Sequence, residues 1–73
     1  MNPFQCSLSG LIMIDPVLLK ADGLSYERSV LERQLRVNPA FGGNHEVPFV
    51  PNTTLRRLIE RLWVQTPEEL FKE

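Results

Sequence analysis

The side chains able to do chemistry are few in this 73-residue chain, and they are scattered. Cys6 and His45 are the only cysteine and the only histidine. Together they could make a thiol–imidazole nucleophile, but nothing in the sequence between them sets them within hydrogen-bond reach. A free cysteine is more often a small buried hydrophobe. As metal ligands they fall short, because a structural zinc site takes about four Cys or His ligands. The same count excludes a disulfide within the chain. Ser7, Ser9, Ser25 and Ser29 lack the strand–turn–helix setting that exposes a nucleophilic serine. Asp15, Asp22, Glu27 and Glu32 could serve as acids or bases, yet no deep pocket is predicted around them. Asp15 is more simply read as a carboxylate held by backbone amides or a nearby arginine. Gly42-Gly43 runs into Asn44-His45 and not into a phosphate-cradling Gly-Lys-Ser start. No catalytic residue, metal or cofactor is therefore expected.

Two further patterns have structural readings. Asn52-Thr53-Thr54 has the spacing of a glycosylation acceptor, but asparagine at that point also caps a helix. Arg33, Arg36, Arg56, Arg57 and Arg61 could form a basic patch, although Glu32 and Glu60 interleave with them. A net charge of −1 gives no general attraction to nucleic acid or to an anionic membrane. No apolar run approaches the roughly 20 residues that span a bilayer. One unpaired cysteine suits a reducing compartment, so a cytoplasmic or nuclear location is expected. A chain this short buries only about 60% of the surface its unfolded form exposes. Without disulfide or metal, stability must come from packing, polar networks or a partner.

The elements that would position these residues can be read from period and punctuation. Residues 4–16 show no clean period and read as an irregular loop. Val17-Leu18-Leu19 is a β-type run, Asp22-Gly23 is a two-residue hairpin signal, and Leu24-Ser25-Tyr26 returns. A hairpin is expected over 17–26. Val30, Leu31, Leu35 and Val37 then share a face, predicting an amphipathic helix over 27–37 with Ser25 as its cap. Asn38-Pro39 ends it. Three prolines and Gly42-Gly43 make 38–51 a loop, with Phe49-Val50 as a short third strand. Asn52 caps a second helix, whose stripe is Leu55, Leu58, Ile59, Leu62 and Trp63. Thr66-Pro67-Glu68-Glu69 reads as a fresh helix start. One domain over 1–66 is expected, with 67–73 beginning a further helix or linker.

Four motifs in register carry a resemblance. They are Phe4-Gln5-Cys6-Ser7-Leu8-Ser9, Met13-Ile14-Asp15-Pro16-Val17, Gly23-Leu24-Ser25-Tyr26-Glu27-Arg28, and Pro51-Asn52-Thr53-Thr54-Leu55-Arg56-Arg57-Leu58-Ile59. Their order and most spacings resemble those of the U-box family. The resemblance implies a small α+β, RING-like fold, with a β-hairpin, a central helix, two long loops, a short third strand and a C-terminal helix. In that fold polar contacts replace zinc. It implies a network of Asp15, Glu27 and Arg28 tying the loops together. Buried polar groups of this kind must be fully paired, so removing one partner is expected to cost several kcal/mol, on the order of 3. It further implies recruitment of a ubiquitin-conjugating enzyme and transfer of ubiquitin to a substrate, without covalent catalysis. By position the docking residues would be Leu8, Gln34, Pro39 and Phe41.

The chain also departs from the family pattern. Cys-Pro-Ile is Cys6-Ser7-Leu8, the usual helix tryptophan is Gln34, and the segment between Leu35 and Pro51 is short. A basic residue common in the second loop has no equivalent among Gly42, Gly43 and Asn44. These changes raise a second expectation: a degenerate U-box kept as a protein-binding or dimerisation platform.

Overall fold

The computed structural model describes residues 2–71, and the side-chain surroundings of residues 2–62. A four-residue strand, β1 (Pro16–Leu19), is the centre of a three-stranded antiparallel sheet. On one side lies β2 (Ser25–Glu27), with Pro16 opposite Glu27, Val17 opposite Tyr26 and Leu18 opposite Ser25. On the other lies β3 (Phe49–Pro51), with Leu18 opposite Val50 and Leu19 opposite Phe49. Pro16 has no N–H to give a central strand, and it stands at the first position, where none is needed. Its carbonyl accepts from the Asn52 N–H at 3.0 Å.

The connection between β1 and β2 differs from a two-residue turn. It occupies residues 20–24, closed by Leu19 N–H to the Leu24 carbonyl at 2.9 Å and Gly23 N–H to the Leu19 carbonyl at 2.8 Å. Gly23 alone takes a left-handed backbone there, at φ 73°. Asp22 instead accepts the Leu24 N–H on its carboxylate at 2.8 Å, a local bond that aspartate makes readily in turns. Residues 4–13 are also more ordered than their lack of period suggested. Gln5 and Ile12 form an antiparallel bridge, and Cys6 N–H reaches the Leu11 carbonyl at 2.8 Å.

Helix α1 (Arg28–Val37) starts one residue later than predicted, and Ser25 does not cap it. Ser25 is paired in β2, so the chain stays extended through Glu27. Val37, placed on the apolar face by the sequence, is 78% exposed. It lies six residues past Leu31, about 240° around the helix and off the buried side. A 3-10 turn (Pro39–Gly42) follows, with proline at its first turn. Gly42 is buried there for a steric reason. A Cβ would lie 3.0 Å from Pro48 Cβ and 3.2 Å from Leu35 Cδ2. Any side chain here would push Pro48 and Leu35 aside by a few tenths of an ångström, so glycine lets the second loop close against α1 without adjustment.

Helix α2 (Thr53–Phe71) begins as expected: Asn52 Oδ1 accepts the Leu55 N–H at 3.1 Å. It runs on through Thr66 and Pro67, where the sequence suggested a fresh start. An internal proline removes one backbone bond without always ending a helix. The core is Cys6, Met13, Val17, Leu19, Tyr26, Leu31 and Ile59. Phe4, Ile12, Val30, Leu35, Phe41, Phe49 and Leu55 pack around it. The α2 stripe is covered unevenly: Ile59 is buried and Leu55 half-buried, whereas Leu58 is 46% exposed. The strand beneath is about 13 Å long, and the helix about 28 Å. Trp63 lies outside the described side chains.

Candidate functional site

The loop before β1 is held from within by a sulfur. Cys6 Sγ accepts the N–H groups of Leu8 and Ser9, both at 3.4 Å. Burial pushes the thiol up, but the backbone amide of Glu27, joined by donors from Ser9 and Leu8, outweighs it and leaves the thiol below its ordinary value. Ser7 N–H donates to the Ser25 carbonyl at 3.2 Å, which fastens the loop to β2. On this fixed backbone Leu8 is 44% exposed.

The second half of the same loop is held by carboxylate chemistry. Glu27, at the end of β2, receives the Ile14 N–H on Oε1 and the Asp15 N–H on Oε2, each at 2.8 Å. Arg28 then donates from Nε to Asp15 Oδ2 at 2.7 Å, and from its backbone N–H to the Asp15 carbonyl at 3.0 Å. The Asp15 hydrogen bond, reinforced by its charge, holds the guanidinium above its ordinary value. The same guanidinium sits 5.8 Å from the centre of the Phe49 ring, so it also touches β3. Asp15, Glu27 and Arg28 are therefore brought together.

They are not buried, however. The Arg28 and Asp15 side chains are each 37% exposed, and an ion pair in contact with water contributes little. The several kcal/mol expected of a buried network does not apply to this pair. Arg28→Ala is accordingly expected to lower the melting temperature by only a few degrees. Differential scanning calorimetry of the variant checks this, and a collapse of the fold would show that the pair matters far more than its exposure implies.

Tyr26 joins the turn to the core. Its hydroxyl donates to Asp22 Oδ2, and its ring meets Phe41 edge-on with centroids 5.9 Å apart. Burial, the Asp22 hydrogen bond, the Asp22 charge and the Cys6 charge, in that order, push the phenol well above its ordinary value of 10.0. A raised acid favours the neutral form in the folded state. Its stabilisation is complete below the unfolded value and is lost as pH rises through it toward the folded value. Tyr26→Phe should cost about 1 kcal/mol at neutral pH. It should also flatten the decline in urea midpoint as pH rises above about 10, the ordinary value of the phenol. An unchanged decline would mean that other groups cause it.

Gln34, Pro39 and Phe41 follow one another along the end of α1 and the turn after it. The Gln34 carbonyl accepts the Asn38 N–H at 2.8 Å, and the Asn38 carbonyl accepts the Phe41 N–H at 3.0 Å. Gln34 is half-buried, Pro39 is exposed, and Phe41 is half-buried against Tyr26. Leu8 stands in the other loop, on the Cys6 sulfur. Both loops thus lean on the Cys6–Tyr26 part of the core. Two open clefts lie elsewhere. One is lined by Ile14, Asp15, Glu27, Arg28, Ser29 and Glu32, the other by residues between Asn2 and Ser25. A shallow apolar surface for another protein need not be a cleft.

Three contacts were not read from the sequence: the Cys6 sulfur as an acceptor, Asp22 under Tyr26, and Asn52 Nδ2 donating to Ser25 Oγ at 3.4 Å. The first two join residues only a few positions apart, but no spacing rule marks them. The third spans 27 residues and has no local signal. Among the described residues, no three of His, Cys, Asp and Glu cluster as metal ligands, and no helix is long and apolar enough to cross a membrane. A family model described as the U-box domain matches residues 2–69, nearly the whole chain. Among curated proteins no match is found.

Proposed function

From the premise that this chain belongs to the U-box family, we propose that it recruits a ubiquitin-conjugating enzyme and promotes transfer of ubiquitin to a substrate. U-box domains have a RING-like fold, act in ubiquitin ligation and in general bind ubiquitin-conjugating enzymes. The chain has the α+β architecture of such a domain, with a three-stranded antiparallel sheet and two helices. Its role is to hold and orient the conjugating enzyme, with no covalent step of its own.

The observation that carries this reading is Leu8. It is a large apolar side chain, substantially exposed, on a loop whose backbone is fixed at both ends. A pre-organised apolar residue of this kind can concentrate binding energy, because little ordering is needed on association. Gln34, Pro39 and Phe41 supply the rest of the surface, Phe41 with its ring edge-on to Tyr26. A reducing compartment, cytoplasm or nucleus, suits the free thiol.

Autoubiquitination across a panel of conjugating enzymes tests the reading. At least one is expected to give product, and Leu8→Ala should slow it about tenfold or more, the loss typical of a central contact. Leu8 is exposed, so the variant should fold. No product with any enzyme, together with no chemical-shift change near Leu8, would reject the proposal.

The exposed Leu58 favours a second reading, a U-box retained as a binding or dimerisation platform without ligase activity. Sedimentation at several concentrations separates the two. Self-association without transfer supports the platform, and a strict monomer with transfer removes it.

A further inference from the structure

The first loop leaves in water two large aliphatic side chains that the core does not use. Leu11 is 71% exposed and Ile14 is 73% exposed. Ile14 is not loosely displayed. Its N–H is held by Glu27 Oε1 at 2.8 Å, and the next residue is tied to Glu27 and Arg28. An apolar group fixed in place this way can be covered by a partner at small entropic cost.

Ile14 forms one wall of an open cleft of about 300 Å³, completed by Asp15, Glu27, Arg28, Ser29 and Glu32. Three carboxylates and one guanidinium line it, but they are not equally free. Asp15 is paired with Arg28, and Glu27 accepts two backbone amides. Glu32, exposed on α1, makes no ion pair among the described residues. The cleft therefore sets a rigid aliphatic wall beside a carboxylate that remains available.

We infer that this cleft docks a linear protein segment carrying an aliphatic side chain next to a lysine or arginine. The aliphatic group covers Ile14, and the cation meets Glu32. Charge complementarity selects this occupant. An acidic segment would face three carboxylates against one guanidinium already paired with Asp15, and an uncharged one would desolvate Glu32 without pairing it. Glu32 and Gln34 are two residues apart, about 200° around the helix. The cleft therefore lies away from the surface proposed for the conjugating enzyme, and both can be filled at once. Binding here needs no transfer activity, so its failure and that of the ligase reading are distinguishable. The cleft is shallow and small, which fits a weak, transient contact.

The probe is a capped hexapeptide, Gly-Lys-Leu-Arg-Leu-Gly, titrated into the whole chain and followed by NMR. Two controls replace either the cations by glutamate or the leucines by serine. Saturable shifts at Ile14, Ser29 and Glu32 are expected with the probe and with neither control. Ile14→Ser should weaken binding about tenfold, through lost apolar contact. Glu32→Lys should weaken it by about threefold or more, and added salt should act in the same direction. Both residues are exposed, so the variants should keep the fold. Absent shifts, shifts centred elsewhere, or equal binding of the acidic control would overturn the assignment. So would concentration-dependent broadening at Ile14 and Glu32 without peptide, because a second copy would then be the occupant.

Discussion

Replacing Glu27 by alanine is expected to destabilise the domain by about 2 kcal/mol, although no side chain among the described residues forms an ion pair with this carboxylate. Its two oxygens receive the N–H groups of Ile14 and Asp15. Hydrogen bonds to a charged acceptor contribute about 1.5–3 kcal/mol each when shielded. The Ile14 bond is exposed and the Asp15 bond half-buried, so the sum must be discounted. For a domain of this size the melting temperature should fall by about 10 °C. Glu27→Gln separates the causes. It keeps the methylenes and one acceptor, but turns an amide N–H₂ toward a second N–H donor, so it should recover little. Thermal unfolding of both variants checks this. A glutamine variant as stable as the parent would show that packing, and not the carboxylate, anchors the loop. The loop that carries Leu8 is the one being anchored, so Glu27→Ala should also weaken conjugating-enzyme binding.

Leu31→Ala should cost more, about 3 kcal/mol, because the side chain is fully buried in α1 facing the sheet. Deleting a buried leucine loses its transfer energy and leaves a cavity that the surroundings fill only in part. Total stabilities of small domains start near 5 kcal/mol, so such a loss would leave a substantial unfolded population on warming. Urea denaturation should show a lower midpoint with an unchanged slope. Leu31→Met keeps most of the volume and should lose less than about 1.5 kcal/mol. Equal losses for the two variants would mean that shape, and not volume, limits this site. A loss below about 1 kcal/mol for alanine would mean that α1 contributes far less to the core than its burial implies.

The two results would bear on different parts of the same design. Leu31, Ile59 and Val17 hold the layers together from inside, and Glu27 fixes a loop from its edge. No disulfide or metal site shares the task among the described residues. Much of this was legible in the sequence because it is local. The second helix followed from leucines at helical spacing and from Asn52 at its cap. The third strand followed from two apolar residues between prolines. Motifs in register around Asp15 and Glu27-Arg28 pointed to a polar network, and the three residues are in contact.

What the sequence read wrongly depended on contacts that no spacing rule marks, some local and some across the chain. Ser25 has the chemistry of a helix cap, yet strand pairing with Leu18 holds it extended. Asp22-Gly23 has the letters of a tight turn, yet the Asp22 carboxylate is drawn forward to Leu24 and Tyr26. Val37 fits an apolar pattern, yet nothing packs against its side of the helix end.

The sequence by itself determined that this chain has no second cysteine for a disulfide within it, that its one cysteine and one histidine fall short of the roughly four ligands a structural zinc site takes, and that its order of elements resembles a U-box. Those conclusions need only residue counts, spacings and local propensity. Tertiary structure alone decided how exposed each group is. It left the Asp15–Arg28 pair in contact with water, Leu8 on a fixed loop, and Ile14 in one cleft with a Glu32 that makes no ion pair among the described residues. Exposure is a property of what packs against a residue from elsewhere in the chain. That sets whether a charge pair stabilises the fold or an aliphatic group is free to meet a partner.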